Sequence, residues 1–189
     1  MTLAARYRGA VLGLACGDAV GTTVEFRPRG SFVPMTDMIG GGPFGLRAGQ
    51  WTDDTSMAWC LAESLIACRG FDARDQMARY VNWWRWGYLS STGECFDIGR
   101  TCAEALARFE QDGEPFAGSD DPHSAGNGSL MRLAPAVLAA YPDLARVRQW
   151  AGAYYGVDGI PHAWRSQVHQ GDDLLEVADR LLTLAQGNV

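Results

Sequence analysis

An all-α fold is what this sequence predicts, as a compact orthogonal bundle of several helices. Apolar residues recur three or four apart in six stretches, two-residue alternation is hard to find, and the segments between are polar or glycine-rich. Leu3, Tyr7, Val11 and Leu14 stripe the first helix, which is expected to end near Gly17. A connection over 17–51 follows, far longer than most helix-helix links, and such loops in compact domains often carry function. Thr52 is placed to cap the second helix, Asp53 and Asp54 fall in its first turn, and Met57, Leu61, Leu65 and Ile66 continue its apolar face. Regions 72–87 and 98–110 are also helix-like, and the run WWRWGY over 83–88 reads as a core face rather than a base-stacking platform. Region 129–141 is helical too, with Pro135 expected to start or kink it. After Asp172 and Asp173, which suit a capped helix start, Leu174, Val177, Leu181 and Leu184 mark the last helix.

Composition narrows the function classes. A chain of 189 residues, 47% hydrophobic and 20% charged, predicts one domain over 1–189. The net charge of -6 argues against nucleic acid as a partner, because phosphate backbones need a clustered positive surface. All 16 basic residues are arginine. Without lysine there is no Schiff base, no P-loop lysine and no Ser-Lys dyad. Five cysteines, never spaced as CxxC, suit small buried side chains in a reducing cytoplasm better than disulfides or a zinc site. The N-terminal apolar run is too short and interrupted for a signal peptide or a membrane span, so a cytoplasmic protein is expected.

Four short stretches carry candidate chemistry. In WTDDT, Thr52, Asp53 and Asp54 read either as a good helix start or as hard oxygen ligands of the kind Mg²⁺, Mn²⁺ or Ca²⁺ accept. In GDAVGTTVEF, Asp18 sits where a helix dipole disfavours an acid, so another group should be holding it, and Glu25 opens the long loop. In GECFDIGRT, Asp97 lies between Phe96 and Ile98, as a helix cap or as a general acid or base near a sugar hydroxyl. In GNGS, Gly126, Asn127, Gly128 and Ser129 form either an ordinary turn or a backbone cradle for phosphate. His123 nearby reads as a loop histidine.

Taken in order, GAVLGLACGDAVGTTVEF, WTDDTSM, GECFDIGRT and GNGSLMR resemble the ADP-ribosylglycohydrolase family, which includes the enzyme that reactivates dinitrogenase reductase. The resemblance runs from residue 6 to about 140, and AGAYYGVDGIPHAWR looks like the family's C-terminal helical region. It implies an all-α hydrolase with a binuclear Mg²⁺ or Mn²⁺ centre that cleaves the glycosidic bond between ADP-ribose and a protein side chain, most often arginine. By matching position, Thr52, Asp53 and Asp54 are implied as metal ligands, Glu25 as the catalytic acid on the flexible loop near the metals, and Asp97 as the catalytic carboxylate near the scissile ribose. Gly126, Asn127, Gly128 and Ser129 are implied as the loop at the pyrophosphate. The expected partner is an ADP-ribosylated protein or ADP-ribose itself, with neither nucleic acid nor membrane involved. The family's second aspartate-rich motif, GxDxDTxGA, precedes its GAYYG helix, whereas here DLARVRQW runs straight into AGAYYG. Asp172 and Asp173 lie after that helix and do not replace it. A deletion near 142–151 would remove half of the metal site, expose apolar helix faces and favour a homodimer. It would also favour the alternative of a catalytically inactive ADP-ribose binder or structural protein.

Overall fold

A computed structural model of the chain describes residues 2–119, 128–141 and 166–187. Among these the expected all-α character holds: α1 (Leu3–Gly21), α2 (Asp53–Cys68), α3 (Ala73–Trp86), α4 (Arg100–Asp112), α5 (Gly128–Met131), α6 (Leu133–Ala140) and α7 (Gly171–Gly187). A short 3-10 turn, Thr22–Val24, extends α1, and the one β feature among the described residues is an isolated bridge between Gly41 and Leu46. The anticipated deletion near 142–151 lies outside the described residues.

Helix α2 is the central element, because its sequence is apolar or small nearly all round and such a helix must be covered on every side. Met57, Ala58, Trp59, Cys60, Leu61 and Leu65 are all buried in it, and α1, α3, α6 and α7 pack around it. The longest helix-helix interface joins α1 to α7, where Arg8 binds Asp179 through both carboxylate oxygens. Arg180 of α7 likewise grips Glu63 of α2 with two bonds of 2.8 Å. The buried Tyr7 hydroxyl donates to the Leu138 carbonyl at 2.7 Å, tying α1 to α6.

Several boundaries differ from expectation for identifiable reasons. Helix α1 does not stop near Gly17 but runs to Gly21, since Gly17 does not adopt left-handed backbone. Thr52 occupies the cap position of α2, yet its side chain makes no capping bond within that helix. Gly99, not Asp97, precedes α4 as its cap residue. The region around Pro135 divides at Arg132: Pro135 has no N–H for the Met131 carbonyl and its ring crowds that group, so α5 ends there and α6 restarts. Only Cys16 and Cys60 of the five cysteines are buried, whereas Cys68 is exposed. The WWRWGY run is only partly core, with Trp83 buried and Trp86 exposed.

The long loop after Glu25 is anchored rather than loose. Met38, Leu46 and Trp51 are buried, and the Trp51 ring lies 5.4 Å from that of His169. Gly49, at φ +90, brings its backbone so close to the segment before α7 that its carbonyl accepts from His169 N–H at 2.8 Å. A Cβ at that position would stand 1.5 Å from the Gln167 carbonyl oxygen, so only glycine fits. This clasp delivers the chain to Thr52 in a fixed direction.

Candidate active site

The site begins with Asp18, in the last turn of α1. Its carboxylate accepts from the Thr52 and Thr55 backbone N–H groups at 3.0–3.1 Å and from their hydroxyls at 2.9 and 2.7 Å. These donors are the orphan groups at the start of α2, so Asp18 caps that helix from a different element, the task a side chain at the cap position performs elsewhere. The bonds also explain an acid at the C-terminal end of α1, since four donors and the positive end of α2 outweigh the local dipole. The Thr52 hydroxyl spends its only proton on Asp18, which leaves its lone pairs as acceptors toward the cleft it lines.

Beyond Asp18 opens a cleft of about 580 Å³, walled on one side by Gly13, Leu14, Gly17 and Gly21 of α1. The other side presents Glu25, Thr52, Asp53, Asp54 and Asp97. Three separate segments therefore bring the implied acids to one place, and none of the described lining residues is basic.

Crowding, with no basic residue among the described lining, makes these carboxyls hold their protons. Asp53 is pushed up to about 8, first by burial and then by the charges of Asp97, Asp54 and Asp18. Asp54 rises to about 6 through burial and the charges of Asp18 and Glu25. Glu25 rises to about 7 through burial, the Asp97 charge and the hydrogen bond it donates to Asp97. Asp97 is itself raised by burial, although Glu25 and Asp53 both give it hydrogen bonds. Asp97 also adopts φ +59, a left-handed backbone unusual outside glycine, which turns it out of line with the approaching α4.

Oxygen donors, neutral hydroxyl lone pairs and surplus negative charge fit a hard divalent cation. Among the described residues, however, no three His, Cys, Asp or Glu side chains converge as ligands of a single ion. Adjacent residues such as Asp53 and Asp54 project about 100° apart on a helix, so each would serve a different position and leave others to water.

Of the expected glycine loop, Gly126 and Asn127 lie outside the described residues, as does His123. Gly128 and the Ser129 backbone enter α5, where Arg132 donates to the Gly128 carbonyl and a Cβ on Gly128 would come within 3.1 Å of Cys102 Sγ of α4. Asp172 and Asp173 are exposed in the first turn of α7 and do not line the cleft, in keeping with their reading as a helix start. Thr55 is the site residue whose role the sequence hid. The only signal was a second hydroxyl one turn on from the cap position, reading as ordinary helix interior.

The family model described as ADP-ribosylglycohydrolase matches this chain over residues 1–151 and again over 147–189. An ADP-ribosylarginine hydrolase Tri1 of Pseudomonas putida is 50% identical over 133 residues, which are 70% of this chain and 36% of that protein. The ADP-ribosyl-[dinitrogen reductase] glycohydrolase of Rhodospirillum rubrum is 36% identical over 152 residues, 77% of this chain and 48% of the relative. The chain thus spans less than half the length of these curated relatives. A solved structure titled ADP-ribosylglycohydrolase-related protein complex superposes with a TM-score of 0.81 at 29% identity, covering 97% of this chain and 99% of the other.

Proposed function

Since the chain belongs to the ADP-ribosylglycohydrolase family, we propose that its acidic cleft hydrolyses the glycosidic bond between ADP-ribose and an arginine side chain, with the help of a divalent cation. The observation that carries this reading is the gathering of Glu25, Asp53, Asp54 and Asp97 from three segments around one cleft without a basic partner among the described lining residues. Such an arrangement costs folding free energy, and perturbed carboxyls in a cleft are a common mark of a reacting site. Relatives named as ADP-ribosylarginine hydrolases at 47–50% identity favour arginine as the modified residue.

Thr52, Asp53 and Asp54 would hold Mg²⁺ or Mn²⁺ from the α2 start, and a bound cation would supply charge to polarise the ribose hydroxyls and acidify a water. Asp18 keeps the Thr52 hydroxyl turned so that a lone pair faces the cleft. Asp97 and Glu25 carry the acid-base step. Of the pair that shares a proton, one carboxylate is free to take a proton from water as it attacks the anomeric carbon, while the proton held by the other goes to the departing guanidine nitrogen. Negative charge across the cleft favours the oxocarbenium-like sugar that develops as the bond to nitrogen breaks. Incubation with ADP-ribosyl-arginine in Mg²⁺ or Mn²⁺ tests the proposal, with release of free ADP-ribose expected.

A second reading, an ADP-ribose binder without turnover, is favoured by one feature of the sequence. The aspartates of a GxDxDTxGA motif do not precede AGAYYG, so half of the implied ligand set is missing near 142–151. Calorimetric ADP-ribose binding together with no release of ADP-ribose from the arginine substrate would select this reading.

A further inference from the structure

Three phenylalanines cluster where the chain carries the acid pair that the hydrolase reading uses, although none of them lines the cleft itself, and that reading gives them no role. Phe26 directly follows Glu25, and Phe96 directly precedes Asp97. Phe44, from the long loop, sits between them, with ring centroids 6.2 Å from Phe26 and 5.3 Å from Phe96. Phe44 and Phe96 are partly buried, while Phe26 is 76% exposed at φ +60. A large apolar ring held out in water gains little by burial, and the Phe26 ring meets that of Phe44 edge-on, at 73°.

Ring and carboxyls together define the chemistry of what fits. The faces of aromatic rings carry negative potential and attract cations, most strongly flat, weakly hydrated ones, and the guanidinium group is such a cation. Glu25 and Asp97, each one residue along the chain from a ring of the cluster, add negative charge nearby, which favours a positively charged, planar group over a neutral hydroxyl linkage. We infer that Phe26, backed by Phe44 and Phe96, is a specificity-determining residue that receives the guanidinium of an ADP-ribosylated arginine at the mouth of the cleft. The inference rests on the proposed use of the cleft for ADP-ribose, and holds whether the chain turns its ligand over or only binds it.

The test compares Phe26→Leu, which keeps an apolar side chain without a π face, with Phe26→Trp, which keeps the face. The affinity for ADP-ribosyl-arginine is read as KM where turnover occurs and as a calorimetric Kd where it does not, and the Kd of plain ADP-ribose is the control. Phe26→Leu is expected to weaken ADP-ribosyl-arginine by about three- to tenfold, with Phe26→Trp close to wild type and ADP-ribose unchanged in both. Equal weakening by Leu and Trp, no weakening by Leu, or a parallel loss of ADP-ribose affinity would each overturn the inference. Wild type that binds neither ligand would instead overturn the reading of the cleft, and the inference with it.

Discussion

Asp53 is costly to the fold at the place where the proposed reading uses it. It is 7% exposed and its carboxyl is raised to about 8, so ionising it in the folded chain is unfavourable. Asp53→Asn removes that penalty while keeping size and one acceptor oxygen. Without added cation at pH 8–9 the variant is expected to melt above wild type, by about 1 kcal/mol of stability, while its Mn²⁺ affinity in a calorimetric titration falls at least tenfold. Unchanged Mn²⁺ affinity would return Asp53 and Asp54 to mere helix-start residues. The same carboxyls set a pH dependence. Asp53, Asp54 and Glu25 titrate at about 8, 6 and 7 in the fold, against ordinary values near 4 when unfolded. The folded state therefore binds more protons across that window, and the stability tied to them is present below about pH 4 and lost as pH rises through about 6 to 8. Thermal melts of cation-free protein should show a midpoint that falls from pH 5 to pH 8.5 and recovers on adding Mn²⁺ at the upper end.

At the scale of elements, the site depends on how α1, the long loop and α2 are locked together. Asp18→Ala strips four acceptor contacts and leaves the Thr52 and Thr55 donors unpaired at a largely buried helix start, and a loss of about 2–4 kcal/mol in urea unfolding is expected. Gly49→Ala meets the Gln167 carbonyl at 1.5 Å and should destabilise by more than about 2 kcal/mol, with the loop backbone shifted away from α7. Elements of this kind were unevenly legible in the sequence. Periodicity placed the helices of Leu3, Met57 and Leu174 because apolar residues recur three or four apart in each, a property of the local sequence. The end of α1 was not legible, because Asp18 is satisfied by hydroxyls 34 and 37 residues away. The break at Arg132 was foreseeable only as some disturbance near Pro135. Asp97 looked like a helix cap because Asp performs that role well, whereas in the fold it takes left-handed backbone and Gly99 holds the cap position of α4.

The whole molecule organises these parts around α2, with the acids at its N-terminal end and apolar packing along the rest. No helix among the described residues is long and apolar enough to cross a membrane. The acids of the cleft were legible as an ordered set of motifs, each weak alone, and their convergence became visible only when three segments met in space. That convergence is the basis for assigning the acid-base step to Asp97 and Glu25, and the decisive comparison is ADP-ribose release from ADP-ribosyl-arginine by wild type and Asp97→Asn under saturating Mn²⁺. The account predicts release by wild type and a loss of about 10²- to 10⁴-fold in Asp97→Asn, with ADP-ribose still bound by the variant. Release by Asp97→Asn at the wild-type rate would contradict it.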